Sequence, residues 1–447
     1  SAVEAIAALR EAGQDVMYYP FILMQQMAGN GLPDPYGGVE QPALPWRGRI
    51  TGALAPGQDG SPDGTAQAEV QVAAFFGSAQ ASDFTVGGQA GTGGTGGNGA
   101  FDLFIYGGRV SRSPVTYKGP EEWGYRRFIL HQAALCKAAG GVESFCIGSE
   151  MRGLTQLRGA NNSFPAVQQL IDLAAEVRAL LGPEVKIGYA ADWTEYFGYQ
   201  PGNGDRFFHL DPLWADANID FIGIDNYMPL SDWRDGEDHA DAGAGSIYDL
   251  EYLQGNIEGG EGYDWYYHSP EARAAQIRTP ITDEAHGEPW IWRFKDIRNW
   301  WVNPHHERIG GVRSEVPTDW LPMSKPIRFA EYGCAAIDKG SNQPNKFLDP
   351  KSSESSLPRH SNGRRDELMQ FQYLRAMAGY WSDPVHNPVS EEYGGPMVDW
   401  AHSCAWAWDA RPFPFFPNNR GLWSDGANYA RGHWLNGRMS ARTLPSV

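Results

Sequence analysis

The chain alternates short apolar runs with longer stretches in which apolar residues recur at helical spacing. That alternation predicts βα units on a mostly parallel sheet. A first strand is expected at 16–24. Residues 30–66, rich in Gly, Pro, Asp and Gln, read as a long loop, and 66–76 as a helix. Residues 87–99 are low-complexity sequence expected to form a flexible surface loop, and 101–117 carry two β-like runs that fit a hairpin. From residue 120 the order becomes regular. A helix is expected over 121–139, opened by Pro120, then a buried strand over 144–148. A second helix over 164–181 closes at Gly182-Pro183, and strands follow at 185–191 and 219–225. A long excursion over 228–325, rich in Asp, Gly and Trp, precedes a strand at 327–330, a helix at 364–381 and a last strand at 403–408.

This pattern yields seven strands at best, so the eighth of a closed barrel either precedes Ser1 or lies within 46–54. The expected fold class is α/β: a (β/α)8 TIM barrel with long loop insertions, its first strand missing or atypical. Barrels of this kind exceed ~400 residues when their loops carry insertions. The chain is therefore read as one domain over 1–447, with insertions at about 30–100 and 228–325. Its opening residues, 2–12, read as the body of a helix, the expected look of a piece cut from a longer polypeptide.

Composition narrows the function. The formal net charge is −18, and no run or stripe of Lys and Arg interrupts it. Such a chain repels phosphate backbones, which argues against a nucleic-acid partner. No apolar run reaches the ~18 residues of a membrane span. The four cysteines form no CxxC pair, so neither a metal site nor a disulfide framework is expected. No cofactor motif is present; the Gly-rich 93–99 lacks the Lys-Ser/Thr and the strand–helix frame of a phosphate loop. The 17 Trp suit both core filling and stacking on the apolar faces of sugar rings.

Active sites of (β/α)8 barrels sit at the C-terminal ends of the strands. Each predicted strand from 144 onward ends on acid or aromatic residues: Ser149-Glu150, Asp192-Trp193, Asp225-Asn226-Tyr227, Glu331-Tyr332 and Trp408-Asp409. One acid after a strand is usually a turn residue; five strands ending this way point to chemistry. Glycosidic bond hydrolysis uses two carboxyl groups, one to protonate the leaving oxygen and one to attack the anomeric carbon or activate water. The acid needs a raised pKa while the nucleophile stays ionised. Glu150 and Glu331 are the candidate pair, with Tyr227 placed to support the nucleophile by a hydrogen bond. Ser149, Asp192, Trp193, Asn226, Trp300, Trp301 and Trp408 are candidate substrate contacts, with Trp408 as the floor of the cleft. His305-His306 has poor geometry for a metal.

The motifs carry a resemblance. Residues 145–151 (Phe-Cys-Ile-Gly-Ser-Glu-Met) resemble the fourth-strand motif of clan A glycoside hydrolases, where the general acid/base ends the strand. Residues 329–333 (Phe-Ala-Glu-Tyr-Gly) resemble their seventh-strand nucleophile motif, and 221–229 the sixth strand, whose Tyr contacts the nucleophile. Trp408 matches the Trp that ends strand eight. Clan A enzymes mostly carry Asn before the acid/base; here Ser149 stands there, which leaves the sugar in the cleavage subsite open. A broader resemblance covers nearly the whole chain. Residues 45–50 (Pro-Trp-Arg-Gly-Arg-Ile), 123–127, 148–155, 191–193, 226–233, 262–267, 298–306 and 338–345 resemble the barrel domain of the tail-hub, or host-specificity, protein of gene transfer agents and related siphophages. That resemblance implies a retaining glycoside hydrolase, using a two-glutamate double displacement on cell-envelope or capsular polysaccharide. It implies synthesis in the bacterial cytoplasm, assembly with other tail and baseplate proteins, and action from a tail tip at the target cell surface. The alternative is a catalytically inactive carbohydrate-binding or structural barrel of the tail tip.

Overall fold

Five strands assemble into one parallel sheet, and their residues are buried almost throughout. The computed structural model describes residues 2–87, 103–106, 109–112, 114–347, 352–407 and 418. The strands are β1 (Met17–Tyr18), β2 (Ser144–Ser149), β3 (Lys186–Asp192), β4 (Phe221–Asn226) and β5 (Ile327–Tyr332), and they lie side by side in chain order. Near-continuous apolar sequence in β2 to β5 matches burial on both faces, as helices on the outside of a parallel sheet require. The sheet curls into a half-barrel. Past β5 the chain runs alongside it again, with parallel bridges from Ile327 to Val398 and from Tyr332 to Ala405. This is the start of the strand expected at 403–408; Trp408 itself lies outside the described residues, as does most of 87–99.

The first strand is atypical, as expected, and short. Met17 and Tyr18 pair with Ser144 and Phe145, while 46–54 hold only a 3-10 turn at Arg47–Arg49 and supply no strand. A closed eight-stranded barrel is not seen among the described residues. The expected hairpin is present as Leu103–Tyr106 against Arg109–Arg112.

The helices follow the periodicity closely. They are α1 (Ala2–Glu11), α2 (Ala66–Phe76), α3 (Tyr125–Ala138), α4 (Pro165–Leu181), α5 (Ile297–Val302) and α6 (Glu367–Trp381). α3 starts four residues later than its Pro120 suggested, with Gly124 at the N-cap. Its buried stripe, Ile129, Leu130, Ala133 and Ala134, recurs at helical spacing and packs on α4. Inside the curl lies a separate small core of Cys146, Ala190, Phe221 and Ala330, with Met17 and Tyr19 against it. Below that core Arg328 of β5 donates two hydrogen bonds, each 2.9 Å, to Glu143 just before β2, and a third to Asp399. This fork ties opposite sides of the curled sheet at the N-terminal end of the strands.

The 228–325 excursion packs Trp300, Trp301 and Trp320 into the main hydrophobic core, together with residues of the strands and helices. Trp300 stacks on Trp320 at 5.1 Å between ring centres and meets His305 and Tyr196. His305 is fixed by Asp211 and by the carbonyl of Trp300.

Candidate functional site

The two glutamates leave their strands at local irregularities. In β2 the pairing with β3 slips between Cys146 and Ser149, and in β5 the pairing with β4 slips between Phe329 and Glu331. A slip of this kind re-aims the side chain that follows it. Glu150 also has φ 45°, the left-handed region that a non-Gly residue enters at a cost. Both carboxyl groups thereby turn toward the centre of the mouth.

They meet at Arg47. Its Nη2 lies 2.9 Å from Glu150 Oε2, 3.7 Å from Glu331 Oε1 and 3.7 Å from Asp225 Oδ2. Three acids therefore share one guanidinium, whose other face rests 4.7 Å from the centre of the Phe21 ring. Tyr227 donates to Glu331 Oε2 at 2.6 Å, the contact expected from sequence. Tyr19 donates to Asp225 at 2.5 Å, and the Trp46 indole donates to Glu150 Oε2 at 2.6 Å. The Pro-Trp-Arg-Gly-Arg run explains how Trp46 reaches this far. A Cβ at residue 48 would stand 2.4 Å from the indole, so only Gly48 lets the ring fold back over its own loop.

Ionisation follows the crowding. Burial, then the neighbouring Glu150 charge, raises the Glu331 pKa to about 7 against the pull of Arg47 and Tyr227. Burial and the two glutamates hold Asp225 well above the carboxylate range. Burial and then Glu150 raise Asp192 to about 6. Close acids around one cation cannot all ionise together, so the cluster carries a proton near neutrality. The sequence reading assigns the raised pKa to the acid and full ionisation to the nucleophile. Here burial lifts the candidate nucleophile instead, and the Tyr227 hydrogen bond offsets only part of the rise.

The other sequence candidates divide. Ser149 lies in the cluster, but its hydroxyl is engaged by Arg47 Nε at 2.7 Å and by Tyr19. Asp192 sits beside Glu150 and spends one oxygen on the backbone and hydroxyl of Thr194. Asn226 is buried and closes the turn after β4 by accepting from the Met228 amide at 3.2 Å. Trp193 is half-buried and meets Phe294 edge-on at 4.8 Å. Trp300 and Trp301 do not reach the mouth: both are 0% exposed, and the Trp301 indole donates to the Lys325 carbonyl. Their adjacent positions on α5 serve the main hydrophobic core. Trp408 lies outside the described residues.

Tyr19, Trp46, Arg47 and Asp225 complete the cluster without having been assigned to it from sequence. Asp225 was visible as a strand-end acid. Trp46 and Arg47 come from irregular backbone with no periodicity to mark them, their one signal the 45–50 motif, and Tyr19 lies in the strand expected at 16–24, just past the two residues that pair.

A parallel α/β half-barrel with acids gathered at its strand ends defines a TIM-barrel-like domain. More particularly, the chain belongs to the family of GTA TIM-barrel-like domains, GTA standing for gene transfer agent, and matches it over residues 123–417. No curated protein matches the chain. Among the described residues no helix is long and apolar enough to cross a membrane.

Proposed function

We propose that this domain is a retaining glycoside hydrolase carried by a phage-like tail, opening envelope or capsular polysaccharide of the target cell. The observation that carries the proposal is the convergence of Glu150 and Glu331 on one guanidinium nitrogen, with Tyr227 on Glu331. Carboxyl oxygens held 2.9 Å and 3.7 Å from one nitrogen fit the short carboxyl spacing of double displacement better than the wide spacing of inversion. In that scheme Glu331 attacks the anomeric carbon while Glu150 protonates the departing oxygen. Glu150 then takes a proton from the water that releases the sugar. Family membership supports the tail setting, with other tail proteins as partners. No cofactor enters the scheme.

A second reading is supported by Trp46 and Arg47, which already occupy the oxygens a substrate would meet. On that reading the barrel binds glycan without cutting it. Digestion of envelope and capsular polysaccharides separates the two, with the anomeric proton of the released end followed by NMR. Double displacement gives first product with the configuration of the substrate. Product of opposite configuration overturns it, and no release from any polysaccharide favours the binding reading.

A further inference from the structure

Beside the carboxylate cluster lies a cavity of about 810 Å³, within the size range of small-molecule sites. It is built from the loops after β2 and β3 on one side and from the 228–325 excursion on the other. Arg152, two residues past Glu150, and Thr194, the hydrogen-bond partner of Asp192, form the wall nearest the glutamates. Phe197, Tyr266, Trp292 and Phe294 supply aromatic surface. Gly262 makes the Phe294 position possible, since a Cβ there would stand 1.9 Å from its ring.

The charge of this lining is unusual for the molecule. The chain carries 54 acidic residues against 36 basic ones, yet among the described residues no Asp or Glu lines the cavity and Arg152 is its one ionic residue. Acids pair with many of the other arginines: Arg47, Arg158, Arg273, Arg278, Arg293 and Arg308 all have carboxylate partners. The Arg152 side chain has no hydrogen bond or ion pair among the described residues. A half-buried guanidinium that reaches Asp192 only through space and has no hydrogen-bonded partner is suited to bind an anion from outside. Aromatic rings and small polar groups across the cavity suit the faces and hydroxyls of a sugar.

We propose that this cavity is a subsite for a sugar residue bearing an anionic group, carboxylate or phosphate, which Arg152 binds while Tyr266 and Trp292 contact the ring. The substrate would then be an acidic glycan, one of whose charged residues sits next to the bond presented to Glu150 and Glu331. The inference rests on the glycan reading of the site but not on turnover.

The test measures binding by calorimetry to the Glu331→Gln chain, so that hydrolysis does not register. The probes are polygalacturonate, alginate and hyaluronate, the same polymers after carboxyl reduction to neutral sugars, and a mannan bearing sugar phosphate monoesters. At least one acidic polymer is expected to bind. Carboxyl reduction, or phosphatase treatment of the phosphorylated mannan, should weaken that binding at least tenfold, as should Arg152→Gln. The two losses should not add, and Arg152→Lys should retain the preference in part. Tyr266→Ala, on the opposite wall and exposed, should weaken both charged and neutral forms and guards against misfolding of the Arg152 variants. The inference is overturned if no acidic polymer binds better than its neutral counterpart, or if Arg152→Gln leaves the preference unchanged. Binding through Arg152 without any cleavage by the wild-type chain would overturn the hydrolase reading and leave this one standing. Cleavage of an acidic glycan by the wild-type chain, with binding of that glycan unchanged by Arg152→Gln, would do the reverse.

Discussion

Glu331 shows how position overrides residue type. On an exposed loop its carboxyl would ionise near the ordinary range. At the end of β5, buried beside Glu150, its pKa rises to about 7 despite the 2.6 Å hydrogen bond from Tyr227. The shift makes the stability of the fold depend on pH. An acid with a raised folded pKa keeps its proton in the folded chain at pH values where the unfolded chain has lost it. Its favourable contribution is complete below the unfolded value of about 4.5 and falls away as pH climbs through about 7. The full span is on the order of 3 kcal/mol. Glu331→Gln keeps an acceptor for Tyr227 and removes the titration. The variant should therefore gain stability relative to wild type between about pH 5 and pH 8, read as the difference in urea midpoints at the two pH values. A difference that does not change with pH would mean that Glu331 titrates in its ordinary range.

Elements were legible where the pattern repeats and obscure where it does not. Helices α2, α4 and α6 and strands β2 to β5 fall within a few residues of their expected places, because burial on one or two faces imposes a period. The excursion has no such period, and this misplaced its tryptophans. A Trp-Trp pair in a loop-rich stretch fits a sugar cleft as readily as a local core. The structure shows α5 turning both rings inward, Trp300 onto Trp320 and His305 and Trp301 onto Tyr393. Trp300→Ala should therefore cost about 3–5 kcal/mol of stability, the range for truncating a buried large aromatic, when followed by denaturant unfolding. Glycan affinity of the folded fraction should be unaltered. A variant of normal stability with weakened glycan binding would restore Trp300 to the cleft.

Across the whole molecule, the site depends on residues far apart in the chain. The family match begins at residue 123, yet Tyr19, Trp46 and Arg47 come from upstream of it and hold all three central acids. Strand ends announced the acids because a barrel gathers them at one rim. What neutralises them was hidden in irregular backbone, whose course is set by tertiary contacts and not by local pattern. The same long-range logic governs the opposite rim, where Arg328 grips Glu143 and Asp399. Burial pushes the Glu143 carboxyl up, but the hydrogen bonds and charge of Arg328 outweigh it and hold the group below its ordinary pKa. Arg328→Met should destabilise the fold by about 3 kcal/mol, since it leaves partly buried acids without their cation. A double-mutant cycle with Glu143→Gln should recover part of that loss. Independent, additive effects would show that the fork does not couple the two sides of the sheet.

The central claim is that Glu150 and Glu331 together cleave a glycosidic bond. Its most direct test is the rate at which the purified domain releases reducing ends from envelope polysaccharide, compared between wild type, Glu150→Gln and Glu331→Gln. The account predicts measurable release by wild type and a loss of about a thousandfold or more in each variant, since each removes one of two groups that act as a unit. Release that survives either substitution, or none from the wild-type domain on any envelope polysaccharide, would contradict it.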